Sequence, residues 1–168
     1  MLRVIHRDLA ARNCLLDKHD NCKISDFGLS LYGKLHKENK MLKVPVRWLA
    51  PETLATGMYS SKTDVWSFGV LMFEVFSNGE TPYKDIKQLK LVRKMVLREG
   101  LRLKPPEDMT SEDAVIMTAC FETEPQNRMS FKELKAKYKE TTNTGLIPRL
   151  TQWIQNRNSI EDSAPVGS

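Results

Sequence analysis

The sequence predicts an α+β fold, mainly helical and carrying one short β-hairpin. Three observations predict it. Two short runs, Cys14–Leu16 and Cys22–Ile24, flank a segment whose Asp and Asn residues suit a tight turn. The stretch Ser61–Phe76 is apolar nearly all round, which marks a helix buried on every side. Three later segments join N-terminal cap signals or a terminal glycine to helical spacing of apolar residues.

Taken in order, the hairpin carries Asn13 and Asp26 at its two outer ends, and antiparallel pairing brings those ends together. Residues 28–52 are polar and Lys-rich until Val44 and read as a loop. Ser61-Lys62-Thr63-Asp64 resembles a capping box with Asp in the last place, and the helix it opens ends at Asn78-Gly79. Residues 85–98 put Ile86, Leu89, Val92 and Val96 on one helix face, with Gly100 just beyond. After the extended Pro105-Pro106 connection, residues 111–121 open with Ser-Glu-Asp and residues 130–138 with the capping-box pattern Ser-Phe-Lys-Glu. Leu146, Leu150, Trp153 and Ile154, with Pro148 near the start, allow one short amphipathic helix that packs, meets a partner or frays. Disorder is expected from Asn156 onward.

The chain has 168 residues and ordinary apolar content, enough for one domain with a real core. No signal-peptide pattern opens it, and the longest apolar stretch, from Val65 to Phe76, is interrupted by Ser67, Gly69 and Glu74 and is too short to cross a bilayer. Cys14, Cys22 and Cys120 form no C-x-x-C pair, which argues against a disulfide framework or zinc site and for a reducing, cytoplasmic setting. The net charge of +5 is spread along the chain without a nucleic-acid motif, so no nucleic-acid partner is expected. Lys34, Lys37, Lys40 and Lys43 recur within the loop segment and either attract acidic substrates or keep a mobile loop solvated.

Three motifs carry chemistry. His6-Arg7-Asp8-Leu9-Ala10-Ala11-Arg12-Asn13 fits H-R-D-L-x-x-x-N at every fixed position, Asp26-Phe27-Gly28 is D-F-G, and Ala50-Pro51-Glu52 follows in the order of a kinase catalytic half. Any one alone reads as a turn or a surface ion pair; the ordered set reads as phosphoryl transfer from ATP. That reaction needs an orienter for the attacking hydroxyl, which suits Asp8, and oxygen ligands for Mg²⁺, which suit Asn13 and Asp26.

From about Val4 to about Tyr138 the sequence resembles a protein tyrosine kinase, near the cytoplasmic Fes/Fer group by the wording of residues 43–54. Ala10-Ala11-Arg12 and Val44-Pro45-Val46-Arg47-Trp48 carry the tyrosine-specific likeness. The resemblance implies a protein kinase-like large lobe over residues 1–140 and a tail over 141–168, with ATP and Mg²⁺ as cofactors and a tyrosine-bearing protein or peptide as partner, acidic if the loop lysines attract it. It implies that Arg12 supports acceptor or phosphate, that Leu15 lies under adenine, and that Pro45 and Trp48 belong to the substrate site. It assigns structural support to His6, Arg7, a buried Glu52–Arg128 ion pair, and Asp64 holding the catalytic-loop backbone. Leu15 and Asp64 also have plain readings, as a core leucine and a first-turn acid.

Four departures stand out. Phe121 stands where Trp is usual and Met129 where Pro is usual, both apolar replacements. The loop middle, Leu35-His36-Lys37-Glu38-Asn39, lacks the usual tyrosine, so the phospho-switch is not expected, and Glu38 reads as a solvated acid rather than a permanent substitute for phosphate. No G-x-G-x-x-G occurs, nor the strand lysine and helix glutamate of a small lobe. The chain is therefore expected to match only the later part of a large lobe and to be inactive alone, with a non-catalytic binding module as the alternative.

Overall fold

The computed structural model describes residues 4–38, 44–140 and 146–162. In chain order come β1 (Val4–Ile5), β2 (Cys14–Leu16), β3 (Cys22–Ile24), β4 (Leu31–Tyr32), β5 (Leu35–Lys37), α1 (Pro51–Thr56) and β6 (Met58–Ser60). Helices α2 (Ser61–Phe76), α3 (Leu89–Arg98), α4 (Ser111–Cys120), α5 (Phe131–Glu140) and α6 (Leu146–Asp162) complete the described chain. The mixed, mainly helical content agrees with the α+β expectation. The strands, however, form three antiparallel pairs rather than one: β2 with β3, β1 with β4, and β5 with β6. Strands of two or three residues show no alternation to read. The two extra pairs tie down residues 31–37, which the sequence presents as loop.

Helix α2 is the post around which the other elements are laid. Twelve of its sixteen residues are buried, as all-round apolarity requires. A Cβ at Gly69 would lie 2.7 Å from the Cys120 Cβ, so α2 and α4 pack this closely only with glycine there. The capping box starts one residue earlier than expected: Ser60 Oγ accepts from the Lys62 amide, and the Ser60 amide donates to Thr63 Oγ1. That shift leaves Asp64 off the cap and buried.

Helix α3 begins at Leu89, not residue 85; Arg47 takes the Ile86 carbonyl, which a helix opening at 85 would use, together with the preceding carbonyls of Pro82 and Tyr83. Val92 and Val96 are buried, but Leu89 is 46% exposed and leaves the predicted face. Helix α4 is capped by Thr110 rather than Ser111, and α5 forms the predicted reciprocal box between Ser130 and Glu133. Helix α6 corrects two expectations, since it is seventeen residues long and continues through Asp162 where disorder was expected from Asn156. Leu146, Leu150 and Ile154 are buried at a spacing of four residues, each stabilising the docked helix by about 1.5–3 kcal/mol. Pro148 sits in the first turn, where its missing N–H has no helical partner to lose.

Beside α1, Arg128 is 1% exposed and its guanidinium holds both Glu52 oxygens, at 2.8 and 3.1 Å. It also donates to the Lys62 and Glu122 carbonyls, so little of its donor fork is left unmatched. Phe121 packs edge-on against Trp66 at 5.0 Å, and Met129 lies against the core, so both apolar replacements are accommodated.

Candidate active site

The catalytic-loop segment, residues 6–13, is hung from α2 by two buried carboxylates. Asp64 accepts the His6 amide at 2.7 Å and the Arg7 amide at 3.0 Å. Glu74 accepts the Ala11 amide at 2.9 Å and the Trp48 indole N–H at 3.0 Å on one oxygen. Burial raises the pKa of both acids, and the N–H donors oppose that rise. The plain reading of Asp64 as a first-turn acid does not describe this geometry. Glu74 was visible in the sequence only as an interruption of an apolar helix; a lone carboxylate in such a helix demands buried donors, and that was its signal.

Arg7 holds a left-handed backbone, φ 73°, and so does Asp26, φ 58°. Such conformations are unfavourable for residues with a Cβ and persist where surroundings impose them. At Arg7 the surroundings are Asp64 beneath the backbone, the Tyr59 ring 4.3 Å from the guanidinium, and Glu38 at 3.0 Å. Glu38 is thus not the solvated acid expected from sequence. It pairs with Arg7, and its amide donates to Gly57 O at 2.9 Å. Gly57 caps α1 at φ 73°, where a Cβ would stand 2.3 Å from Glu38 O, so glycine is required on both counts. Lys34 and Lys37 belong to the β4–β5 segment; Lys40 and Lys43 lie outside the described residues.

At the centre, Asn13 Nδ2 donates to Asp8 O at 2.7 Å and to Asp8 Oδ2 at 2.9 Å, while Arg12 ion-pairs with Asp8 Oδ1. The Asp8 carboxylate is thereby fixed in orientation. The Arg12 guanidinium lies 4.9 Å over the Trp48 ring, which Glu74 holds from behind. A 3-10 turn over Ala11–Asn13 sets Arg12 and Asn13 at these positions. The hairpin register pairs Cys14 with Ile24, and Ser25 returns both its amide and its hydroxyl to Asn13 O, at 2.8 and 3.0 Å. Asp26 is the next residue, and its Oδ1 accepts the Gly28 amide. His6 accepts from the Asp8 amide at Nδ1 and meets Ser25 O with Nε2, so the Nε2–H tautomer satisfies both. Its ring edge meets Phe27 at 4.9 Å.

The structure therefore brings Asp8, Arg12, Asn13 and Trp48 into direct contact, with Asp26 joined to Asn13 through Ser25. Pro45 leads into the 3-10 turn Val46–Trp48 and accepts the Trp48 amide. Leu15 is half exposed on β2, and Glu52 with Arg128 forms the separate buried pair. With Asn13 Nδ2 committed to Asp8, Oδ1 is the oxygen that side chain has for a cation; with the Asp26 carboxylate, the pair supplies the hard oxygen donors that Mg²⁺ takes. No described helix is long and apolar enough to cross a membrane.

Residues 2–138 match the model of the protein tyrosine and serine/threonine kinase family, and the chain belongs to that family. It is 44% identical over 130 residues to the tyrosine-protein kinase transforming protein Fps of avian sarcoma virus (strain PRCII), covering 76% of this chain and 24% of that protein. It is 43% identical over 133 residues to tyrosine-protein kinase Fer of Homo sapiens, covering 78% and 16%. With the megakaryocyte-associated tyrosine-protein kinase of Rattus norvegicus it shares 44% identity over 135 residues, covering 80% and 28%. The chain thus spans between 16% and 28% of the length of these curated relatives.

Proposed function

We propose that this chain supplies the catalytic-loop side of a Fes/Fer-like, cytoplasmic protein tyrosine kinase, corresponding to the later part of its large lobe. Residues 1–140 form the partial kinase domain and residues 141–168 its tail. ATP, bound with Mg²⁺, supplies the phosphoryl group. Asn13 Oδ1 and the Asp26 carboxylate hold the metal, and Leu15 faces the base. Asp8 orients the acceptor hydroxyl and takes its proton, its carboxylate presented by Asn13 and its pairing with Arg12 giving way to substrate. Arg12, once turned from Asp8, supports the acceptor or the phosphate, while Pro45 and Trp48 form the wall for the phenol. The acceptor is a protein tyrosine, with Lys34 and Lys37 favouring acidic surroundings.

The observation that carries this reading is the Asp8–Asn13–Ser25 network, which joins the hydroxyl-orienting carboxylate to both metal-binding positions. The kinase relatives weigh against the binding-module alternative. The test is transfer of labelled γ-phosphate to a tyrosine peptide by the full-length protein. Asp8→Asn should lower the rate by about 10²–10⁴-fold, the usual contribution of a positioned acid or base. Undiminished transfer in that variant would refute the assignment.

A further inference from the structure

Helix α6 lies beyond the stretch that matches the family model, which ends at residue 138, yet it packs against α2 and the β2–β3 hairpin. Its buried face, Leu146, Leu150 and Ile154, explains the docking but not its outermost contact. The Arg157 guanidinium donates to Ala11 O at 3.3 Å and to Cys14 O at 3.1 Å. Those carbonyls bracket Arg12 and Asn13. The same guanidinium lies 5.0 Å over the Trp153 ring, one turn back on α6, and the Trp153 indole closes over Gly79 at the end of α2. The arginine is therefore stacked on a ring that rests against the turn just past α2.

We propose that Arg157 is a positioning residue for the phosphoryl-transfer site: a tail helix clamps the turn bearing Asn13 from behind, and through Asn13 sets the Asp8 carboxylate. The proposal rests on the site assignment given under Proposed function. A forked guanidinium suits the task, because it spans two carbonyls with parallel donors, which one ammonium cannot do in fixed geometry. Charged donors to backbone carbonyls also make the strong class of hydrogen bond. The turn has the geometry to need such a clamp, since among the described residues the Ala11 carbonyl otherwise serves only the Cys14 amide of the same short turn.

The test compares Arg157→Ala, Arg157→Lys and Gln152→Ala, the last on the exposed side of α6, in the full-length protein. Two readouts are taken: amide exchange in residues 11–14, and kcat together with the Mg²⁺ concentration for half-maximal rate. Expected for Arg157→Ala are exchange at least several-fold faster in that turn with α2 amides unchanged, a five- to tenfold lower kcat, and a raised Mg²⁺ requirement at unchanged peptide KM. Arg157→Lys should restore part of this, and Gln152→Ala should match the parent. Unchanged turn exchange in Arg157→Ala overturns the clamp. Faster exchange with unaltered kcat and Mg²⁺ requirement overturns the positioning role, as does a loss that tracks only the melting temperature. Asp8→Asn, run alongside, tests the site assignment separately: its full activity would sink that assignment, while the exchange readout would still decide the clamp.

Discussion

Two arginine–carboxylate pairs hold the stretch that runs from D-F-G into α1, one at its middle and one within α1, and they are built differently. Arg128–Glu52 is bidentate, with the arginine side chain wholly shielded and its remaining donors on backbone carbonyls. Arg7 meets Glu38 through one oxygen at 3.0 Å, with the glutamate side chain 34% exposed and His36 Nε2 3.9 Å from the same oxygen. Burial makes the loss of one member of the first pair costly, because the other is left as an uncompensated charge. Exposure makes the second a weak holder of structure, although it meets Arg7, whose backbone is left-handed and which precedes Asp8. The same chemistry is thus shielded in one place and partly exposed, beside a left-handed backbone, in the other.

Breaking the buried pair should have the largest effect. Arg128→Met leaves Glu52 uncompensated and should lower stability by about 3–5 kcal/mol in denaturant titration, with part recovered by adding Glu52→Leu. Next comes Gly57→Ala, which introduces a Cβ against Glu38 O at a left-handed φ. A loss of more than about 1 kcal/mol is expected in thermal melting, because that backbone is incompatible with alanine. Glu38→Gln sharpens the contrast: stability should move by no more than about 1 kcal/mol, as for other exposed pairs, and less at high salt. Activity in the same variant should fall severalfold if the pair aligns the loop, and unaltered kinetics would reduce the pair to surface decoration.

The smallest effect is on pH dependence. Burial raises Glu74 above the ordinary carboxylate range, so the folded protein keeps that proton to higher pH than the unfolded chain does. Its contribution therefore favours folding in acid and declines as pH rises from the ordinary carboxylate range through the raised value. Glu74→Gln retains an oxygen for the Ala11 and Trp48 donors but should make the decline of stability with rising pH shallower across that range. An unchanged slope in urea midpoints against pH would contradict this. Asp64, raised for the same reason, keeps the slope from vanishing.

Much of this was legible from residue patterns. The β2–β3 hairpin, α2 to its last residue and the α5 capping box follow from turn chemistry, periodicity and cap spacing, which are local signals. The Glu52–Arg128 pair was legible only through family likeness, since seventy-six positions separate the partners. What sequence could not supply was tertiary. Glu38 looked solvated because its partner, Arg7, is distant in the chain and arrives only once β5 pairs with β6. Helix α3 starts later than its periodicity suggests, and the Ile86 carbonyl that an earlier turn would use is held by Arg47, thirty-nine positions away. Helix α6 outran its expected end because its anchor, Arg157, binds backbone near the opposite end of the chain.

The central claim is that the hairpin and the catalytic-loop turn place Asp8, Asn13 and Asp26 around one metal–nucleotide position. A crystal structure of the full-length protein with Mg²⁺ and a non-hydrolysable ATP analogue tests it most directly. The account predicts metal ligation by Asn13 Oδ1 and the Asp26 carboxylate at about 2.0–2.1 Å, with the Asp8 carboxylate facing the terminal phosphate. Metal and nucleotide bound elsewhere, or Asp26 turned away from an occupied site, would contradict it.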